Sequence, residues 1–195
     1  MRSFPFFKTP PAACDAEEAR EAILVQEVAG GELGAFEHLY RRYHPRLTRF
    51  LERVTHRPAL VEELLDDTML VVWKHAARYH GGSKVSTWIF AIAYRKALKA
   101  LRRLDEVAPE ATEQVCSAPG PEQCASAREA QARLLQALQS LTPEHRAVLE
   151  LTYLQGLSCA EIAEVLDCPV ATVKTRMFYA RRRLRTLLSD LEGQP

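Results

Sequence analysis

Apolar positions along the chain recur every three to four residues, and no stretch alternates apolar and polar with a period of two. The pattern predicts helices and no strands. Residues 22–28 and 33–54 carry Phe36, Leu39, Tyr40, Tyr43, Leu47, Phe50 and Leu51 at helical spacing, with Pro45 marking a kink or break. After Arg57 and Pro58 a further helix is predicted over 59–79. Gly81 and Gly82 make 80–84 a loop, and Ser86 or Thr87 then caps a helix over 88–104. Residues 105–126 are acidic, contain Pro109, Pro119 and Pro121 and have no period, which predicts a flexible linker. Beyond it 127–141 is helical, and Thr142 caps a new helix with Pro143 at its first position. Residues 1–21 read as a poorly ordered arm. The expected architecture is all-α: two small helical domains, 22–104 and 127–192, joined by that linker.

Residues 158–188 read as a helix-turn-helix feeding a strongly basic helix. Ser158 and Glu161 form a capping box, each side chain satisfying a backbone donor at the helix start. Ala160, Ile162, Ala163, Val165 and Leu166 build a short helix. Asp167, Cys168 and Pro169 break it, because proline cannot continue a helix but fits the first turn of the next. In the second helix Val170, Val173, Met177, Ala180, Leu184, Leu187 and Leu191 make one apolar stripe. Thr175, Phe178, Tyr179 and Arg182 fall on the opposite face, flanked by Lys174, Arg176 and Arg183. No acid occurs between Asp167 and Asp190. Such a face is suited to phosphates. An ordinary solvated face would mix signs, and it would leave Phe178 and Tyr179 without a purpose.

The formal net charge of +1 over 195 residues conceals a segregation. Between Asp67 and Asp105 there is again no acid, while Lys74, Arg78, Lys84, Arg95, Lys96, Lys99, Arg102 and Arg103 are basic. Acids collect in the amino-terminal arm, at Glu62, Glu63, Asp66 and Asp67, and after Leu104. Two cationic blocks with an acidic spacer point to two nucleic-acid contacts on one chain. The five cysteines, Cys14, Cys116, Cys124, Cys159 and Cys168, include no CxxC pair, so no metal site is expected. Cys159 and Cys168 are expected to fill small spaces beside the helix-turn-helix. The six histidines stand in no arrangement with cysteine or carboxylate that makes a nucleophile or metal site. No catalysis, cofactor or small-molecule substrate is therefore expected. The opening MRSFPFFKTPP has too short an apolar run for a signal peptide, and no later segment is long and apolar enough for a bilayer. A cytoplasmic protein without direct membrane insertion is expected.

The segments VEELLDDTMLVVWKHAARY, STWIFAIAYRKALKALRR and LQSLTPEHRAVLELTYLQGLSCAEIAEVLDCPVATVKTRMFYARRRL follow one another over roughly 22–190. Together they resemble a bacterial RNA polymerase sigma factor of the extracytoplasmic-function (ECF) group. The resemblance implies that the first domain, sigma region 2, binds core RNA polymerase through the helix around 64–74. Glu63, Asp66, Asp67, Thr68, Leu70, Val71 and Lys74 are its candidates, an acidic lip beside apolar residues that suits a basic amphipathic partner. It further implies that the loop 80–85 and the helix after it recognise and melt the minus-ten promoter element. Tyr79, Ser83, Lys84, Trp88, Arg95, Lys96 and Lys99 supply the cations and aromatic groups that single strands require. Trp88, Phe90 and Tyr94 fit a core role as well. In the second domain, sigma region 4, the resemblance sets the basic helix in the major groove of the minus-thirty-five element. Its candidates are Thr172, Lys174, Thr175, Arg176, Phe178, Tyr179, Arg181 and Arg182. Asp66 stands where the family usually has Gln, Asp167 where Gly is usual in the turn, and Tyr179 where Arg or His is frequent. The implied partners are core RNA polymerase, promoter DNA and an anti-sigma factor. The alternative is a stand-alone dimeric helix-turn-helix regulator, which would carry a ligand pocket or phosphoacceptor domain in place of this basic helical half.

Overall fold

The computed structural model describes residues 11–107, 137–138 and 140–192. Among the described residues the regular elements are helices alone: α1 (Pro11–Ala29), α2 (Leu33–Thr55), α3 (Pro58–His75), a 3-10 turn η1 (Ala76–Arg78), α4 (Val85–Val107), α5 (Pro143–Tyr153), α6 (Cys159–Leu166) and α7 (Val170–Glu192). None of them is long and apolar enough to cross a membrane.

In the first half, α1 to α4 surround a core in which Phe50 and Phe90 meet edge-on at 5.1 Å and Tyr43 meets Phe90 at 6.5 Å. The helix α2 buries Leu39, Tyr43, Leu47, Phe50, Leu51 and Val54 along one face and runs unbroken through Pro45. An interior proline costs about 3 kcal/mol. Six buried side chains, each contributing about 1.5–3 kcal/mol, outweigh it, and Pro45 itself faces solvent. His56 then adopts the left-handed conformation at φ 51°, its N–H bonding Glu52 O at 2.9 Å, and Pro58 opens α3.

Three expected boundaries move. The helix α1 starts at Pro11, inside the segment read as an arm; residues 1–10 lie outside the described residues. Ion pairs of Glu17 and Glu21 with Arg42, and a 2.8 Å bond from Tyr43 Oη to Glu21, hold it in place. Apolar periodicity does not register such contacts. The helix α3 ends at His75, η1 covers 76–78 of the predicted span, and Tyr79 is extended. Finally, α4 starts at Val85, so Ser86 and Thr87 lie within its first turn and neither caps it. Val85 and Ile89 are both fully buried, and their packing fixes the helix start.

In the second half, Thr142 caps α5 by accepting from His145 N at 3.4 Å, with Pro143 at the first position. Ser158 and Glu161 form the expected capping box on α6. Asp167 takes the left-handed turn at φ 50°, which a short polar side chain tolerates. Val173, Met177 and Ala180 bury one face of α7. Most of the linker expected at 105–126 and of the helix expected at 127–141 lies outside the described residues.

The two halves are packed together. Arg146 reaches from α5 to donate to Val54 O at 2.7 Å, Arg53 pairs with Glu150 at 2.9 Å, and Arg46 donates to Gln155 Oε1 at 3.0 Å. On the other side α4 lies along α6.

Candidate nucleic-acid interface

Burial of Val173, Met177 and Ala180 turns the other faces of α7 outward. Lys174, Thr175, Phe178, Tyr179, Arg181 and Arg182 are exposed, while Thr172 and Arg176 are half-buried. Phe178 is 60% and Tyr179 52% exposed, and their rings pack edge-on at 5.6 Å. Large rings so placed cost hydration until a partner covers them. Two cations on this helix are braced. Arg181 lies over the Tyr153 ring at 5.4 Å, and Arg176 Nη1 is 3.8 Å from Cys168 Sγ. Tyr153 and Cys168 are thus positioning residues that sequence periodicity missed, since the contacts join different elements. Thr175 spends its hydroxyl proton on Ala171 O at 2.9 Å. No cation of α7 pairs with a described acid.

Another surface surrounds the loop after η1. Tyr79 Oη donates to Ser83 O at 2.6 Å, and its ring lies 5.2 Å from Trp88 at a 37° tilt. Gly81 takes φ 75°, a conformation that glycine adopts without steric penalty. The loop folds back there, and Gly82 N donates to His80 Nδ1 at 3.2 Å. Arg78, Tyr79, His80, Gly82, Ser83 and Trp88 line a cleft of about 310 Å³ that Glu164 of α6 borders. Burial, then the charges of Glu18 and Glu21, push the Tyr79 hydroxyl above its usual range and keep it a donor. Farther along α4, Arg95 and Lys99 are exposed, whereas Lys96 is half-buried and held by Asp67 Oδ2 at 2.6 Å. Lys84 Nζ lies 3.4 Å from Glu18 and 3.2 Å from Glu161. Phe90 and Tyr94 are core residues; burial above all pushes the Tyr94 hydroxyl up to about 12. Trp88 is half-buried.

On α3 the outward residues are Glu63, Asp66, Leu70 and Lys74, with Leu70 47% exposed and Asp67 and Val71 half-buried. Tyr40 Oη donates to Asp66 at 3.2 Å, and Trp73 packs edge-on against Phe36 at 5.1 Å. Thr68, expected on this surface, is instead fully buried, its hydroxyl donating to Leu64 O at 2.6 Å. One helical turn separates it from both Leu64 and Val72, so it shares their inward stripe.

The family model for sigma-70 region 2 matches residues 39–107, and that for sigma-70 region 4 matches 131–184. The RNA polymerase sigma factor CarQ of Myxococcus xanthus is 33% identical over 165 residues, covering 83% of this chain and 94% of its own. The chain belongs to the sigma-70 family. Within it, the sigma factor resembles ECF members: the ECF RNA polymerase sigma factor SigK of Mycobacterium sp. strain KMS is 29% identical, covering 85% of this chain and 89% of its own. Among solved structures, that of CnrH in complex with the cytosolic domain of CnrY superposes with TM-score 0.66 at 25% identity, over 87% of this chain and 97% of the other. The sigma factor RpoE in its complex with the anti-sigma factor NepR from Bartonella quintana shares the fold, with TM-score 0.67 at 23% identity over 79% and 96%. As an ECF sigma factor the protein is a transcription initiation factor that works with core RNA polymerase on promoter DNA. The region 2 match covers the loop after η1 and all of α4. The region 4 match covers α5, α6 and most of α7. The helix α1 precedes both.

Proposed function

We propose that this sigma factor grips core polymerase with α3, holds the opened minus-ten strand on the loop after η1 and α4, and reads the minus-thirty-five duplex with α7. Glu63, Asp66, Asp67, Leu70, Val71 and Lys74 form the polymerase-facing side. Tyr79, Ser83, Lys84, Trp88, Arg95, Lys96 and Lys99 receive the single strand. Thr172, Lys174, Thr175, Arg176, Phe178, Tyr179, Arg181 and Arg182 meet the duplex. On this reading 22–104 and 127–192 act as the two functional domains and 105–126 as the linker. The chain serves as an initiation factor in the cytoplasm and leaves catalysis to the polymerase.

The observation that carries this reading is an aromatic pair beside cations on each surface, half-buried Tyr79 with Trp88 and exposed Phe178 with Tyr179. Stacking on such rings is worth about 1–3 kcal/mol per base, and the neighbouring cations supply the salt-dependent share of affinity. A stand-alone regulator would account for α6 and α7 and leave the first surface without a use. CnrH and RpoE were each solved with a bound protein, in the second case an anti-sigma factor. That likeness supports an anti-sigma partner for this chain too.

Reconstitution with purified core polymerase tests the proposal. Run-off transcription from promoters recovered by genome-wide mapping should require the chain, and core polymerase alone should give none. Transcripts of equal yield without the chain would refute it.

A further inference from the structure

Burial of Val173, Met177 and Ala180 fixes the rotation of α7. The line opposite that stripe passes through Ala171, Thr175, Phe178 and Arg182, at steps of three and four, and all four are exposed. The first three members of this ridge have no proton to give a base. Ala171 ends in a methyl group. Thr175 donates its hydroxyl proton to Ala171 O at 2.9 Å, which turns the hydroxyl toward the backbone. Phe178 is a 60% exposed ring against which Tyr179 packs edge-on at 5.6 Å. Two of the arginines are engaged elsewhere: Arg176 is half-buried beside Cys168 Sγ at 3.8 Å, and Arg181 lies over the Tyr153 ring. Lys174 flanks the ridge, and Arg182 follows at its far end. The apolar part thus falls in the first half of α7, the part of a recognition helix that meets base edges.

We propose that Ala171, Thr175 and Phe178 select thymine by apolar contact with its 5-methyl group, Phe178 being the main specificity-determining residue and Tyr179 setting its ring. The inference rests on the reading of α7 as the helix that meets the minus-thirty-five duplex, and it names what that helix recognises there. Of the four bases, thymine alone carries a methyl group in the major groove, and alanine, the threonine methyl and phenylalanine are the side chains that suit it. Guanine calls for paired donors and adenine for a donor with an acceptor, and the ridge has neither. Covering an exposed ring and methyl groups recovers hydrophobic free energy, and each thymine methyl buried is worth about a fourfold gain in affinity. Arg181 and Arg182 supply the attraction to phosphates that all sequences share. Lys174, on the flank, is left to a neighbouring base pair.

The test uses polymerase reconstituted with the full chain and a fluorescent promoter recovered by the mapping. Each thymine of the minus-thirty-five element, on either strand, is replaced in turn by deoxyuridine, which removes the 5-methyl group and nothing else. The parent should bind about three- to fivefold more weakly when one or two of these positions are changed. Phe178→Ala should bind the thymine promoter more weakly and no longer distinguish thymine from uracil at one of those positions. Its ring is exposed, so the fold survives its loss. Tyr179→Phe, which keeps the ring, and Lys174→Ala should each retain the thymine-to-uracil ratio of the parent. A minus-thirty-five element without thymine, a parent indifferent to uracil at every position, or an unchanged ratio in Phe178→Ala would overturn the proposal while leaving α7 on the duplex. If Phe178→Ala and the double variant Lys174→Ala with Arg182→Ala both bound the promoter as the parent does, the duplex reading of α7 would fail and the inference with it.

Discussion

The cations of α7 and those around the 79–99 segment carry the same sign and keep different company. Lys174, Arg181 and Arg182 are exposed and meet no described acid. Lys84 meets the carboxylates of Glu18 and Glu161, and Lys96 that of Asp67. The aromatic groups differ likewise. Phe178 and Tyr179 stand in solvent, whereas Phe90 is fully buried beneath the first surface and Trp88 half-buried beside it. The second surface is open as it stands, while the first is integrated with the core behind it and with acids in front. Equal cationic density in a sequence therefore says little about how accessible the charges are.

One substitution type made in both places gives the largest contrast. Phe90→Ala should cost about 3–5 kcal/mol of stability, because it removes the ring that Tyr43 and Phe50 pack against. Phe178→Ala should stay within about 0.5 kcal/mol, since its ring is exposed. Urea unfolding of the two variants checks this, and similar midpoints would erase the distinction between a built-in and an open surface.

On α7, Lys174→Ala should lose about 1–3 kcal/mol on the preferred minus-thirty-five duplex and relax selection at one or two base pairs. Arg182→Ala should weaken all sequences alike and reduce the salt slope by about one unit. Titrations of promoter variants across a salt series separate these roles.

Acid should act at the seam between the halves. Burial, and then the Arg146 charge, lower the His56 pKa to about 4. Folded protein thus binds fewer protons at this site than unfolded chain, whose histidine titrates near its usual value of about 6.5. The stability that neutral His56 contributes is complete above about pH 6.5 and is lost as pH falls toward 4. Asparagine tolerates the left-handed backbone that His56 adopts. His56→Asn should therefore lose less stability than the parent between about pH 7.5 and about pH 5, as read by urea unfolding at each pH.

The smallest expected effect concerns Lys96 and Asp67. Their pair is partly exposed, so Asp67→Asn should change stability by no more than about 1 kcal/mol. A larger change would show the first surface to be more tightly built into the fold than its ion pairs indicate.

Much of this molecule was legible in its sequence because the decisive signals are local. The Ser158–Glu161 capping box, the Thr142–Pro143 start and the turn at Asp167 each act within a few residues, and all three stand where expected. Val173, Met177 and Ala180 of α7 are buried as spacing alone predicts, whereas Val170 of the same stripe is exposed. What escaped depends on contacts distant in sequence. The helix α1 is fastened by Glu17 and Glu21 to Arg42, more than twenty positions on, and a count of apolar residues cannot register that. The family resemblance sets Thr68 on the surface, yet its hydroxyl is satisfied by Leu64 O and the side chain is fully buried. Tyr153 as a brace for Arg181, and Lys84 shared by two helices, required the fold.

Transcription from one promoter as an intact duplex, and from the same promoter premelted at the minus-ten element, tests the division of labour most directly. The variant Arg95→Ala with Lys99→Ala lies on the first surface, and Lys174→Ala with Arg182→Ala lies on the second. With core polymerase, the first variant should fail on the duplex and recover on the premelted template, because strand capture is then no longer limiting. The second should be impaired on both, because recognition of the upstream duplex is unchanged by melting. If premelting rescued both variants equally, or neither, the assignment of separate tasks to the two surfaces would be contradicted.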